Sequence, residues 1–167
     1  MSTTRPLSEI LPPEMRELRL TPLFILLLDV APAINVGKTP GVDRRVGAIT
    51  GGRFEGERLR GSLLPGGSDW QAIRPGDGAW MLNVRIVLKT DDDHIIGMPY
   101  TGLRHGPKEV LDRIARGEAV NPRDYYLRIT GAFETASEKY GWLNNVLCVG
   151  MGHRLPEGPV YQVFAIN

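Results

Sequence analysis

Stretches in which apolar and polar residues alternate recur along most of this chain. The clearest covers residues 79–89, where every second residue from Trp80 to Leu88 is apolar. A period of two places successive side chains on opposite faces, as in a half-buried β-strand. A second such run covers residues 94–103, and the three residues Asp91–Asp93 between the two runs predict a hairpin turn. In the last run, residues 160–166, both faces are apolar, so we expect something outside the sheet to cover it.

The whole pattern predicts eight or nine strands and one helix. The predicted strands are residues 20–36 with a kink near Ala31-Pro32, then 46–49, 54–64, 69–73, 79–90, 94–103, 124–133, 141–150 and 160–166. Gly51-Gly52 and Pro65-Gly66-Gly67 are predicted to form turns. The helix is predicted at residues 107–117, with Pro107 in its first turn and Gly117 at its end. We therefore expect an all-β fold, a single closed antiparallel barrel, because closure removes the exposed edges.

Residues 1–19 are predicted to form a polar N-terminal arm, and residues 20–167 the barrel domain. The apolar segment at residues 18–33 imitates a secretion signal, but Pro22 and Asp29 interrupt it and it begins far from the N-terminus. Its leucine-rich centre, residues 23–28, is too short to span a bilayer. We predict a buried strand that turns at Pro32, no membrane segment, and a cytoplasmic protein.

Composition excludes two further classes of protein. The 167 residues include 20 Lys and Arg against 19 Asp and Glu, so the chain lacks the basic excess that nucleic-acid binding requires. Cys148 is the single cysteine, which excludes an internal disulfide and a cysteine-based metal site. The 20 Gly and 13 Pro residues, spread along the chain, fit many short strands better than a helix bundle.

Common catalytic and metal-binding motifs are absent from the sequence. Residues 66–70 lack the final glycine of a nucleophile elbow, and residues 150–152 lack the third glycine of a dinucleotide-binding loop. Asp91–Asp93 and His94 could resemble a ligand cluster. Consecutive strand residues point to opposite faces, however, and acidic residues are common in tight turns. We expect a solvated turn there, with no metal and no cofactor.

Polar residues embedded in the predicted strands are the candidate site. They are Asn83, Arg85, Tyr126, Arg128, Thr130, Trp142 and Asn144. Burying such groups costs several kcal/mol unless they are paired. One interpretation is a pocket inside the barrel, where Asp69 or Glu134 transfers a proton and an arginine holds an anionic oxygen. The other is that these side chains face solvent and the apolar face fills the barrel.

Several motifs resemble the domain of unknown function 3237 family. They are residues 39–45, Thr50–Gly56, Leu64–Trp70, Asp77-Gly78, Tyr125–Arg128, and Phe133-Glu134 with Tyr140–Asn144. The resemblance extends from Leu20 to Ile166 and implies an antiparallel barrel of the lipocalin or allene-oxide-cyclase type. It also implies that Asp69, Trp70, Arg85, Arg128, Glu134, Trp142 and Asn144 occupy family motif positions.

The chain departs from the family pattern at three places. Asn83 stands where the family usually has Asp, Ile86 where it has an aromatic residue, and Asp92-Asp93 where it has Asp-Gly. An asparagine cannot act as a general base, so any chemistry that relatives perform with that carboxylate is altered here.

Residue types and resemblance together predict a small-molecule-binding barrel. It would act as a cofactor-independent isomerase, cyclase or lyase on a small, partly apolar organic ligand. The predicted catalytic residues are Glu134, Asp69 and Arg128, and the predicted ligand-binding residues are Trp70, Asn83, Arg85, Tyr126, Trp142 and Asn144. The alternatives are a non-catalytic carrier or sensor of a lipophilic ligand, and a packed structural or interaction barrel. The doubly apolar strands also predict a homodimer.

Overall fold

Nine β-strands dominate residues 5–167, the part of the chain that the computed structural model describes. The strands are β1 (Leu20–Val30), β2 (Ile34–Lys38), β3 (Asp43–Glu55), β4 (Arg60–Ile73), β5 (Trp80–Thr90), β6 (Ile95–His105), β7 (Tyr126–Ala132), β8 (Leu147–Leu155) and β9 (Gly158–Ile166). The helices are α1 (Leu7–Ile10), α2 (Lys108–Ala115) and two short 3-10 helices, Pro13–Met15 and Gly141–Asn145. The predicted all-β fold and the helix near residues 107–117 are confirmed.

Eight of these strands close into an antiparallel barrel. Neighbouring strands run in the order β1-β9-β8-β7-β6-β5-β4-β3-β2, and β1 also pairs with the second half of β3. That extra pairing closes the ring and leaves β2 outside it, paired with the first half of β3. The predicted barrel of eight to nine strands is therefore confirmed.

The alternation of β5 shows which side chains face the interior. Leu82, Val84, Ile86 and Leu88 are buried, whereas the residues between them are exposed from Met81 to Val87. The register continues into β6, where Val84 pairs with Tyr100 and Ile86 with Met98, both buried. Even-numbered residues of these two strands thus line the barrel, and odd-numbered residues form its outer wall.

The two ends of the barrel differ in polarity. At the end where β5 finishes and β6 begins, here called the apolar end, Phe24 packs edge-on against Phe54 and Phe133, with ring centroids 5.4 and 6.1 Å apart. Each such buried side chain stabilises the fold by about 1.5–3 kcal/mol. At the opposite end, here called the polar end, β1, β4, β6 and β8 finish. Polar side chains replace the phenylalanines there, beginning with Asp69.

Two predicted turns lie inside strands. Pro65-Gly66-Gly67 forms a bulge within β4, where the pairing register shifts between Leu64 and Ser68 and Gly66 has φ of 109°. Gly51-Gly52 lies within β3 opposite β1. A Cβ on Gly52, which has φ of 141°, would stand 2.3 Å from the Leu27 carbonyl oxygen. Glycine lets long strands bend around a small barrel, so these motifs mark corners instead of strand ends.

Other predicted strands change their extent. The predicted strand at residues 54–64 spans the turn at residues 56–59 between β3 and β4, and the predicted strands at residues 46–49 and 69–73 are parts of β3 and β4. The predicted strand at residues 20–36 is divided into β1 and β2, and the buried strand predicted in the apolar segment is β1. The predicted strand at residues 141–150 begins only at Leu147, because residues 141–145 form a 3-10 helix. The Asn144 side chain holds this helix by bonding both the N–H and the carbonyl oxygen of Thr135, at 2.8 and 2.9 Å.

Outside the barrel, residues 5–19 form an exposed segment that contains α1. Residues 1–4 of the predicted N-terminal arm lie outside the described residues. Across residues 5–167, no helix is both long and apolar enough to cross a membrane.

Candidate functional site

A cluster of polar side chains lies inside the barrel at its polar end. Asp69, Gln71, Tyr100, Arg104, Arg154 and Tyr161 line one cavity together with apolar residues that include Leu28, Ile49, Leu82 and Leu127. The cavity volume is about 60 Å³. It therefore accommodates a few water molecules or one functional group of a larger ligand.

Asp69 is the carboxylate of this cluster and is 9% exposed. Its Oδ2 accepts a hydrogen bond from Gln71 Nε2 at 2.8 Å, and its Oδ1 accepts one from the main-chain N–H of Asn83 at 3.2 Å. Burial raises the pKa of Asp69, while these two hydrogen bonds and the charge of Arg104 reduce that rise. Asp69 thus keeps its proton to a higher pH than an exposed aspartate, as a group that exchanges protons requires.

The bond to Asn83 depends on an interruption in the ladder between β4 and β5. Asp69 pairs with Val84 and Ala72 with Met81, but residues 70 and 71 between them have no paired partner in β5. The Asn83 N–H donates its hydrogen bond to the Asp69 carboxylate instead of to the main chain of β4. The carbonyl oxygen of residue 70 accepts a hydrogen bond from Arg44 Nη1 at 3.2 Å. The main chain therefore supplies a donor to the site without exposing a strand edge.

Two buried tyrosines stand beside Asp69. Tyr100 and Tyr161 are each 3% exposed, and their rings pack edge-on with centroids 6.0 Å apart. Burial raises the pKa of both phenols well above the usual value, so both hydroxyls remain protonated donors at neutral pH. The Tyr100 hydroxyl lies beside the Tyr161 hydroxyl, which contributes to the shift in its pKa, but no group among the described residues meets it within 3.5 Å in hydrogen-bond geometry.

Arg104 brings a positive charge to the same cavity. Its guanidinium lies over the Trp80 ring, 4.2 Å from the centroid, and Arg45 lies over that ring at 5.1 Å. Its Nε is buried without a partner, and no carboxylate in residues 5–167 comes within 4.0 Å of its guanidinium. Burial lowers the pKa of Arg104, but an arginine stays charged at any physiological pH.

A side-chain bridge fixes the neighbouring strand ends. Tyr125 Oη accepts the main-chain N–H of Arg154 at 2.7 Å and lies 2.9 Å from His153 Nδ1. The Tyr125 hydroxyl and His153 Nδ1 share a hydrogen bond whose direction is set by the tautomer of the imidazole. This bridge holds Arg154 beside the cavity.

Most predicted ligand-binding residues lie together on the outer wall. Trp70, Asn83, Tyr126 and Arg128 line a groove of about 590 Å³, here called the outer groove. Asn83 also borders a second groove of about 480 Å³, which contains Arg85. The expectation that these side chains face the interior is wrong, because the alternating apolar residues of β5 and β7 fill the barrel and direct the polar ones outward.

The remaining predicted residues are not near Asp69. Glu134 is exposed at the apolar end, where its main chain exchanges hydrogen bonds of 2.8 and 3.0 Å with Gly97. Trp142 is partly buried beneath the guanidinium of Arg58, 3.7 Å from the ring centroid. Asn144 is exposed in the 3-10 helix. Of the three predicted catalytic residues, only Asp69 faces the barrel interior.

The acidic turn is the hairpin that its sequence predicts. The Asp92 carboxylate accepts hydrogen bonds from Lys139 Nζ at 2.6 Å and from Tyr140 Oη at 3.0 Å. These donors lower the pKa of Asp92 well below its usual value. Asp93 completes the turn with φ of 68°. The turn thus joins the apolar end to the segment before β8.

Sequence reasoning missed Gln71, Tyr100, Arg104, Arg154 and Tyr161. A signal was present in β6, because Tyr100 and Arg104 continue the even-numbered apolar phase of Ile96 and Met98. A charged residue in the apolar phase of a strand indicates a buried ion more directly than one in the polar phase.

Comparison with known proteins shows relatives along most of the chain. A UPF0311 protein of Clostridium acetobutylicum is 34% identical over 154 residues, which cover 92% of this chain and 97% of that protein. The crystal structure of a conserved protein of unknown function from Rhodopseudomonas palustris matches with a TM-score of 0.86 at 32% identity, covering 90% of this chain and 99% of that one. That of a β-barrel-like protein from Acinetobacter baumannii matches with a TM-score of 0.79 at 38% identity, covering 93% and 98%.

A more distant structure, an enzyme from Penicillium herquei, matches with a TM-score of 0.68 at 23% identity, covering 90% of this chain and 95% of that one. That likeness shows the fold alone. The family model described as "Protein of unknown function (DUF3237)" matches residues 18–166. The chain therefore belongs to the DUF3237 family of β-barrel proteins.

Proposed function

We propose that this barrel binds a small organic molecule at its polar end and changes it by cofactor-independent acid–base chemistry, with Asp69 as the proton-exchanging group. The observation that carries this proposal is the Asp69 carboxyl, 9% exposed, which faces a cavity that also contains a phenol and a guanidinium without a hydrogen-bond or carboxylate partner, respectively, in residues 5–167. A carboxyl with a raised pKa next to fixed donors suits proton transfer to and from carbon or oxygen.

The reaction classes that fit are isomerisation, cyclisation and elimination. Each of them needs a group that moves a proton and a donor that stabilises the charge developing on oxygen, and none needs a redox group. The apolar part of the lining, Leu28, Ile49, Leu82 and Leu127, suits the carbon skeleton of a partly apolar substrate. Glu134 and Arg128 are not part of this proposal, because both side chains lie outside the barrel.

Two observations weigh against the alternatives. A carrier of a lipid-sized molecule needs a pocket of roughly 300–1,000 Å³, whereas the cavity measures about 60 Å³. A fully packed structural barrel satisfies its buried polar groups, whereas Tyr100 Oη and Arg104 Nε have no hydrogen-bond partner in the part of the chain that the structure describes. A small ligand, or the reactive end of a larger one, fits both facts.

Proton exchange gives a direct test. The protein is incubated in D₂O with a panel of small cyclic and aromatic ketones, and deuterium incorporation and product formation are followed by NMR. We expect faster exchange for at least one ketone, loss of that acceleration in Asp69→Asn, and its retention in Asp29→Asn, which removes an exposed carboxyl. Binding without exchange or product would make the protein a carrier, and an active Asp69→Asn variant would remove Asp69 from the mechanism.

The homodimer remains a proposal, and the outer groove is the surface that supports it. Trp70 is 52% exposed, Tyr126 41% and Met81 36%, all on one wall of the barrel. Large exposed apolar side chains that lie together are typical of interaction sites. A second copy of the chain would cover them. We likewise retain the proposal of a cytoplasmic location, which fits the single buried Cys148.

A further inference from the structure

We propose that Tyr100 Oη and the Arg104 guanidinium form a subsite for an oxygen atom that carries or develops negative charge. This inference rests on the proposed ligand site at the polar end and names the chemistry that the site recognises. The ligand class it assigns is a small carbonyl or phenolic compound, bound through that oxygen as an enolate or phenolate.

The first observation is the unpartnered hydroxyl of Tyr100. Leaving a buried hydroxyl without a hydrogen bond destabilises a fold, so nearly all such groups are paired. Tyr100 is 3% exposed, its ring is held edge-on by Tyr161, and its hydroxyl has no partner in residues 5–167. The Tyr161 hydroxyl lies beside it but outside hydrogen-bond geometry, so the Tyr100 phenol keeps a proton that it can donate to a ligand.

The second observation concerns Arg104, which is charged yet has no carboxylate partner within residues 5–167. Asp69 lines the same cavity, but both of its oxygens accept bonds from other groups, namely Gln71 and the Asn83 main chain. The Arg104 guanidinium instead stacks on Trp80, and its Nε donates to no group in the described chain. Stacking holds the guanidinium in place while leaving N–H donors for a ligand.

The charge of the cavity selects the ligand. Arg104 and Arg154 supply two positive charges against one carboxyl, and Tyr100 and Tyr161 supply two neutral hydroxyls. A bound oxyanion would be attracted by the two guanidiniums and would accept a hydrogen bond from a tyrosine hydroxyl, whereas a bound cation would be repelled by the two guanidiniums. A volume of about 60 Å³ takes only the oxygen-bearing end of the ligand, and the rest lies toward the strand ends.

The probe is 4-nitrophenol, whose anion absorbs visible light, so that binding and ionisation are read from one spectrum. We expect the protein to bind the phenolate and to lower the pKa of the bound phenol. Tyr100→Phe should weaken phenolate binding tenfold or more, and Arg104→Gln by a similar factor. The neutral ether 4-nitroanisole, which has no ionisable oxygen, should bind at least tenfold more weakly than the phenolate.

Tyr140→Phe is the matched control. Tyr140 is also buried, at 4% exposure, but its hydroxyl is bonded to Asp92 at the apolar end. It should therefore lose stability and keep full affinity for nitrophenolate. Competition with benzoate distinguishes the source of the oxygen. If benzoate binds more tightly than nitrophenolate, the subsite is assigned to a carboxylate. If nitrophenolate binds more tightly, the subsite is assigned to an enolate or phenolate. No binding of either anion, or equal binding by wild type and Tyr100→Phe, overturns the subsite.

Asp69→Asn separates this inference from the proposed function. Removing the neighbouring negative charge should strengthen nitrophenolate binding, even though it abolishes exchange on ketones. If nitrophenolate binds in a Tyr100-dependent way but no ketone exchanges, the subsite stands and the acid–base role fails. If exchange depends on Asp69 but no anion binds, the acid–base role stands and the subsite fails.

Discussion

The main-chain amide of Asn83 donates a hydrogen bond to the Asp69 carboxylate across 3.2 Å, while the Asn83 side chain lies exposed on the other face of the same strand. One residue thus contributes to the interior through its backbone and to the outer groove through its side chain. Asn83 stands where the family usually has Asp. This difference alters the outer groove, but the hydrogen bond to Asp69 comes from the main chain and is retained.

This division of roles predicts a mild effect for Asn83→Ala. The side chain makes no hydrogen bond within residues 5–167 and the backbone donor is retained, so the free energy of unfolding should change by less than about 0.5 kcal/mol. The pKa of Asp69, followed by the ¹³C shift of its carboxyl, should stay at its wild-type value. A downward shift toward that of an exposed aspartate would show that the side chain does act on the site.

Burial of Asp69 predicts a pH-dependent stability with a definite sign. A carboxyl whose folded-state pKa lies above the unfolded value of 3.8 binds its proton more tightly when folded. Its stabilising contribution is therefore complete below pH 3.8 and is lost as pH rises through the folded pKa. Asp69→Asn should be more stable than wild type at neutral pH, and the difference should shrink toward pH 3.8.

Urea unfolding of both proteins from pH 3.5 to pH 8 measures this difference, with Asp29→Asn as the exposed control. A wild type that is more stable than Asp69→Asn at neutral pH and less stable at low pH would reverse the sign and contradict a raised pKa.

The barrel could be predicted from the sequence because strand periodicity and glycine content depend on local geometry. The alternation of residues 79–89 predicted which residues share a face, and the structure keeps that division. Periodicity alone does not show whether the polar face of such a strand forms a site. Of the two interpretations of Asn83 and Arg85, an interior pocket or solvent-facing side chains, the structure favours the second, because the opposite face, from Leu82 to Leu88, is the more apolar and fills the barrel.

The interior cluster was harder to foresee because its polar members come from four strands, β4, β6, β8 and β9. Asp69 precedes Tyr100 by 31 residues and Arg104 precedes Arg154 by 50, so only strand pairing brings them together. The motif that contains Asp69 was visible, whereas Tyr100 has no motif. Its significance depends on one oxygen atom that has no hydrogen-bond partner among the described residues, which only the three-dimensional structure shows.

That unpartnered oxygen predicts a gain in stability from Tyr100→Phe. Removing a buried hydroxyl that has no hydrogen bond relieves its desolvation penalty, so the free energy of unfolding should rise by about 1 kcal/mol. Tyr140→Phe removes a hydroxyl bonded to Asp92 and should lower it by about 1 kcal/mol. Chemical denaturation of both variants decides the point: equal losses would mean that the Tyr100 hydroxyl is bonded in solution.

Closure of the barrel predicts a large effect for Gly52→Ala. Gly52 has φ of 141°, and an added Cβ would lie 2.3 Å from the carbonyl oxygen of Leu27 on β1. Backbone strain of about 1–3 kcal/mol and displacement of β1 should together lower the free energy of unfolding by about 3 kcal/mol or more. Gly41→Ala, where nothing lies within 4 Å of the added Cβ, should change it by less than about 0.5 kcal/mol. Similar values for the two variants would contradict a tight contact between β1 and β3.

The outer groove predicts where a charge would separate the two subunits of the proposed homodimer. Trp70, 52% exposed, lies in that groove beside Arg128, whose guanidinium stacks 4.9 Å from the Tyr126 ring centroid. Arg128 forms no ion pair within residues 5–167, so a partner that covered this wall would have to accommodate an uncompensated charge at its rim.

Sedimentation velocity at micromolar concentration should show a dimer for the wild type and a monomer for Trp70→Glu. Ile34→Glu, which places the same charge on the exposed strand β2 outside the barrel, should remain dimeric. If Ile34→Glu dissociates the dimer and Trp70→Glu does not, the subunits meet through the free edge of β2 instead, and a wild type that sediments only as a monomer excludes both arrangements.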